Sequence, residues 1–131
     1  MQTTFRTFTM TWPLVTFLLL PALTRAETAV QAWVQRYNGP GDGNDYAVAV
    51  AVDGNNDVIV TGYSTNSASG YDYATIKYSS TGVPLWTNRY CSRLGPGNDV
   101  ALDLALDGSN NVIVTGYSWP NGWDQYYATI K

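Results

Sequence analysis

Apolar runs alternate along the chain with short breaks rich in Gly, Asn, Asp and Ser, and after residue 27 no stretch keeps a helical spacing of apolar positions. Every element is therefore predicted to be a strand. Residues 33–37 (Trp-Val-Gln-Arg-Tyr) alternate apolar and polar and read as a strand with one wet face. Residues 38–45 carry the Gly, Asp and Pro content of a loop, and 46–52, Ala and Val after Tyr46, read as a strand sandwiched between layers. Residues 57–63 return from a polar turn as the second arm of a hairpin. A polar loop over 64–73 follows, then a third strand over 74–79, a tight turn at Ser80-Thr81-Gly82 and a fourth strand over 84–90.

This pattern then starts again. Residues 52–64 (Val-Asp-Gly-Asn-Asn-Asp-Val-Ile-Val-Thr-Gly-Tyr-Ser) return as 106–118 (Leu-Asp-Gly-Ser-Asn-Asn-Val-Ile-Val-Thr-Gly-Tyr-Ser). In the same register 73–77 (Tyr-Ala-Thr-Ile-Lys) matches 127–131, and Trp33, Arg36 and Tyr37 match Trp86, Arg89 and Tyr90 at an offset one residue shorter, the extra residue falling in the 91–97 loop. Repeat 1 spans 33–85, and repeat 2 spans 86–131, where it stops at its third strand. A unit of about 50 residues holding four short antiparallel strands is what a β-propeller blade requires, because stacked blades bury both faces of each sheet. The predicted fold class is all-β, with propeller-type blades built as four-stranded antiparallel meanders, an incomplete propeller of about two blades. A β-helix coil is usually shorter, and a sandwich has no reason to repeat its sequence.

The combination Trp-x-x-Arg-Tyr, Asn-Asp, Val-Asp-Gly-Asn-Asn-Asp-Val-Ile-Val-Thr-Gly-Tyr-Ser and Tyr-Asp-Tyr-Ala-Thr-Ile-Lys-Tyr-x-x-x-Gly-x-x-x-Trp resembles the bacterial seven-bladed β-propeller repeat family, often labelled SBBP. The resemblance covers residues 33–131 and implies a blade of a secreted or cell-surface bacterial protein, usually within a longer chain. It brings no catalytic residues. The number of copies departs from the family, since closing a propeller takes roughly four to eight blades. Either the chain is a fragment of a larger array, or residues 33–37 of one copy close the last blade of a neighbour and several copies form a ring.

Residues 1–26 add a location. A short stretch with Arg6 as its only charge leads into an apolar run over 13–23 and ends at Thr24-Arg25-Ala26, the plan of a secretory signal peptide. The remaining segment, 27–131, is the propeller repeat segment, expected outside the cytoplasm: secreted or at the cell surface, extracellular or periplasmic. It carries five basic side chains (Arg36, Lys77, Arg89, Arg93, Lys131) against ten acidic ones, a net charge of −5. Nucleic acid is not an expected partner, because neutralising phosphates takes clustered Lys and Arg, and no membrane contact is expected once the signal is removed. Cys91 is the single cysteine, so no disulfide within the chain can form, and it reads as a tolerated loop residue.

Candidate chemistry is narrow. The chain has no His, and Glu27 is its one Glu, which excludes an imidazole base, a histidine metal site and a Ser-His-Asp triad. No catalytic residues and no enzymatic activity are expected from this chain alone. Asp53, Asn55 and Asp57 echo the start of a calcium loop and are the only metal candidates, but Gly stands second instead of sixth and Ser64 replaces the bidentate Glu. A turn in which Asp and Asn satisfy the backbone and Gly takes the positive-φ position accounts for them better, so no cofactor is expected. The same reading serves Asp42, Asn44 and Asp45 and their echo at Asn98 and Asp99.

Aromatic residues give the stronger hint. Trp119, Trp123, Asp124 and Tyr126 fall in a polar, turn-forming stretch where a core does not need them, and Tyr71 is the one aromatic of the matching loop in repeat 1. Rigid rings beside Asp, Asn and Gln suit stacking on sugar rings or anchoring a protein. In an up-and-down sheet, this loop shares one end with 38–45 and 91–98, whereas the Asp-Gly turns share the opposite end with Ser80-Thr81-Gly82. The expected function is an exported binding or structural scaffold for a carbohydrate or protein, with further blades or other copies of the chain as partners. The reading kept beside it is a fragment of a larger secreted propeller enzyme whose catalytic residues lie in blades absent from this chain. The signal peptide is checked by intact mass: the exported protein is expected to begin at Glu27, and a secreted product retaining Met1 contradicts the assignment.

Overall fold

The computed structural model describes residues 28–67, 70–92, 97–120 and 123–131. The expected signal peptide lies outside the described residues, as do Arg93 and the Asn121-Gly122 step of the aromatic loop. Met1–Val30 and Gln31–Lys131 are separate units, and all the strands belong to the second.

All described regular structure is β: β1 (Asp45–Val52), β2 (Val58–Thr65), β3 (Tyr71–Tyr78), β4 (Pro84–Tyr90), β5 (Asp99–Leu106), β6 (Val112–Ser118) and β7 (Tyr126–Ile130). They form a four-stranded sheet in the order β1-β2-β3-β4 and a three-stranded sheet in the order β5-β6-β7, every pair antiparallel. This is the all-β, propeller-like and incomplete arrangement that the repeat predicts. The two sheets pack face to face through Tyr73, Ala101 and Val114, with Tyr90, Leu104, Val112, Ala128 and Ile130 around them.

Three local expectations are corrected. Residues 33–37 are not a strand: they run without ladder pairing across the first sheet, where Trp33 and Tyr37 cover Ala74, Ile76 and Tyr78. An edge partner would have been needed to hold them as a strand, and the apolar half of their alternation is spent on this sheet face instead. The polar loop predicted over 64–73 is shorter, because Ser64 pairs with Asp72 and Thr65 with Tyr71 as extensions of β2 and β3. Strand β1 is not sandwiched: Val50 is 66% exposed, so the first sheet is open along this strand although Trp33 and Tyr37 cover Ala74 and Ile76 further across it.

Both sheets carry the same irregularity. The ladder slips between Ala47 and Ala49 in one and between Ala101 and Asp103 in the other, each time opposite the Gly of Thr-Gly-Tyr-Ser. A Cβ on Gly62 would collide with the Tyr46 carbonyl oxygen, and one on Gly116 with that of Val100. The bulge thus brings backbone against backbone where only Gly fits. Gly62→Ala and Gly116→Ala are each expected to destabilise the protein by about 1–3 kcal/mol in urea titration. Gly108→Ala, where an added Cβ meets nothing within 4 Å, is expected to leave the midpoint unchanged.

Candidate ligand-binding face

At one end of the sheets the loops are tied together by Asn98. Its side-chain oxygen accepts from the Tyr71 amide at 3.0 Å, and its carbonyl accepts from the Trp119 amide at 3.1 Å. The 38–45 loop joins the same end, where the Gly41 amide donates to the Thr65 carbonyl and the Thr65 amide donates to the Asn44 carbonyl. Asp45 and Asp99 begin their strands by accepting from the amides of Gly39 and Ser92, so each carboxylate closes the loop before it.

On this scaffold the predicted residues separate. Tyr71 does not stand alone: its ring meets Tyr63 edge-on at 5.2 Å and Tyr46 at 6.1 Å, while Tyr46 stacks on Tyr63 at 4.8 Å. Burial and the neighbouring phenols of Tyr46, Tyr117 and Tyr71 raise the Tyr63 pKa, so its hydroxyl keeps its proton at physiological pH. Trp119 leans on Tyr117 at 6.3 Å. Trp123 and Asp124 are both exposed, Trp123 to 91%. Tyr126 pairs with Ser118 at the start of β7 and faces a depression of about 590 Å³ shared with Tyr90, Cys91 and Pro120. The pairing register sets Tyr117 and Tyr127 on one face of this sheet and Ser118 and Tyr126 on the other, so Trp119 and Tyr126 do not form one patch. Tyr46, Tyr63 and Tyr117 escaped the sequence reading because they sit inside strand patterns. For Tyr63 and Tyr117 a signal was present in the repeated Thr-Gly-Tyr-Ser.

Compared with known protein families and with curated proteins, the chain matches none. Its chemistry therefore has to be read from its own side chains. The likeness to the seven-bladed propeller repeats stands on the repeated motifs alone.

At the opposite end, the two carboxylates among the metal candidates are engaged by an internal cation. Lys77 Nζ lies 2.6 Å from Asp53 Oδ2 and 3.0 Å from Asp57 Oδ2, while Asp53 Oδ1 accepts from the amides of Asn55 and Asp57. Repeat 2 builds the same turn with Lys131 2.7 Å from Asp107 and the amides of Ser109 and Asn111 on Asp107 Oδ1. The positive φ falls at Asn56 and Asn110, not at the Gly the sequence suggested, since the Asx hydrogen bonds place the left-handed residue late in the turn, just before Asp57 and Asn111. Asn tolerates that conformation.

A second cation site was not foreseen. Arg89 donates to Tyr37 Oη at 3.0 Å, Ser64 Oγ at 2.9 Å and Asp72 Oδ2 at 3.1 Å, stitching the 33–37 segment to the first sheet. Its repeat with Arg36 was visible, but not its partners, which come from three separate elements.

The ammonium of Lys77 lowers the pKa of Asp53, and the two carboxylates raise that of Lys77. The Asp53 contribution to stability is present above its ordinary pKa of 3.8 and lost as pH falls, whereas that of Lys77 is present below 10.5 and lost as pH rises. Lys77→Met is expected to lower Tm at neutral pH by roughly 5 °C and to flatten both limbs of the Tm–pH curve, as followed by circular dichroism. Unchanged limbs contradict the assignment.

Proposed function

We propose that this protein is an exported scaffold of seven-bladed-propeller-type repeats that binds carbohydrate through the aromatic end of its sheets. What carries the reading is Trp123, an exposed ring next to Asp124 in the stretch after Trp119, whose neighbours, Trp119 on Tyr117 and the Tyr46-Tyr63-Tyr71 cluster, are anchored through Asn98. Large exposed rings are costly to hydrate, and flat apolar faces rimmed by carboxylate, carboxamide and hydroxyl groups match the faces and edges of pyranose rings. The pre-built aromatic cluster needs little ordering when a ligand arrives. A protein anchor would use the same rings, and a glycan array separates the two.

The chemistry of the other end argues for structure there. Of the carboxylates that a catalytic or metal role would recruit from the Asp-Gly turns, Asp53 and Asp107 are paired with Lys77 and Lys131 and with turn amides, and Asp57 is paired with Lys77. On a glycan array, the exported protein is expected to bind a restricted set of glycans, and Trp119→Ala together with Trp123→Ala is expected to weaken that binding at least about tenfold without changing Tm. Absence of any glycan signal, or a double variant that binds as before, overturns the carbohydrate reading.

A further inference from the structure

The pairing register divides each sheet into two faces. On one face of the first sheet lie Ile59, Thr61, Tyr73, Thr75 and Tyr90; on the other lie Val50, Val60, Ala74 and Ile76. The face bearing Tyr73 is buried against Leu104, Val114, Ala128 and Ile130, which are the repeat counterparts of Val50, Val60, Ala74 and Ile76. The interface therefore joins the first-type face of one blade to the second-type face of the next.

Both halves of this interface occur a second time, one uncovered and the other covered only in part, where Trp33 and Tyr37 lie over Ala74 and Ile76. Tyr127 is the counterpart of Tyr73, and it is 88% exposed where Tyr73 is 2% exposed. The Thr61–Thr75 hydroxyl pair is buried at 2.9 Å, and its counterpart, Thr115–Thr129 at 3.0 Å, is exposed. On the opposite side of the molecule Val50 is open, whereas Leu104 is packed. Residues 33–37 lie on that side as β4 lies on the second sheet: Tyr37 contacts the Val60, Ala74 and Ile76 cluster, and Tyr90 the Val114, Ala128 and Ile130 cluster. Strand β7 pairs with β6 alone, so among the described residues its outer edge has no strand partner.

We propose that a second copy of this chain docks head to tail at these surfaces, the Tyr127 face of one copy against the Val50 face of the next. Tyr73 donates its hydroxyl to the Ala128 carbonyl at 3.2 Å, and the docked Tyr127 meets the Ala74 carbonyl in the same way. The incoming β7 edge comes alongside residues 33–37, which complete the second sheet as its fourth strand. Arg36 then takes the part of Arg89. Where Arg89 reaches Ser64 and Tyr37, Arg36 reaches Ser118 and Tyr90 in the depression that also holds Tyr126. The contact is heterologous, so successive copies close into a ring or continue as a filament. It is independent of what the aromatic loops bind.

Val50→Glu and Tyr127→Glu each place a charge on one half of the contact, at a side chain already exposed in the single copy. By light scattering after size exclusion, the exported protein is expected to have a mass that is a multiple of one chain. Each variant alone is expected to run as one chain with an unaltered circular dichroism spectrum. An equimolar mixture of the two is expected to give two chains, because one intact pair of faces remains. A wild-type monomer at about 100 μM, a variant that keeps the wild-type mass, or a mixture that stays monomeric each overturns the proposal.

Discussion

The side chain of Tyr73, buried between the sheets with its hydroxyl donating to the Ala128 carbonyl, is the contact on which the pairing of the two repeats depends. A phenol at this position does two things at once. Its ring fills the space over Ala101 and Val114 and meets Tyr90 edge-on at 5.4 Å, while its one polar atom is satisfied by backbone from the opposite sheet. Burial, reinforced by the nearby charge of Asp99, pushes its pKa up to about 12, so the proton needed for this bond is retained across the physiological range. A Phe there would leave the apolar contact intact and remove the cross-sheet hydrogen bond, which is worth about 1 kcal/mol.

Around that contact each sheet is held by devices that occur twice. A bulge opposite Gly62 and Gly116 interrupts the first strand of each sheet, and the Asp-Gly turns cap the hairpins with a carboxylate, two amides and a lysine from the end of the third strand. The turns also touch: the Gly54 amide donates to Asn110 Oδ1 at 3.2 Å. Repetition at this level means that blade geometry is set locally, within each unit. What differs between the copies is the surface each unit meets, and this turns identical residues into buried ones in one copy and exposed ones in the other. The two ends of the sheets divide in the same way. The strongly repeated Asp-Gly end is occupied by its own ion pairs, whereas the end where the copies diverge carries Trp119 and Trp123.

Much of this was legible from residue order. The period-two and fully apolar runs, the turn chemistry and the return of 52–64 as 106–118 pointed to strands, hairpins and blade-sized units, because these depend on local backbone preference and on spacing. The end on which the Trp119 loop sits was legible too, since successive turns of a meander alternate ends. The conformation of 33–37 was not. Its alternation is equally compatible with a strand and with an extended segment laid over a sheet, and the choice lies with Tyr78, Gly82 and Arg89, distant in the chain.

The sequence by itself therefore determined the all-β class, the two repeats and the Asp-capped turns, all of which rest on interactions within about one repeat length. Only the tertiary structure decided which face of each sheet is covered, that Tyr71 joins Tyr46 and Tyr63, that Lys77 answers the acidic turn, and that Trp119 and Tyr126 fall in separate patches. Those outcomes depend on pairing register and on sheet-to-sheet contact, where one residue's shift exchanges the two faces. An alternating apolar pattern shows that a strand has a face to bury, and only the neighbouring sheet decides whether it is buried.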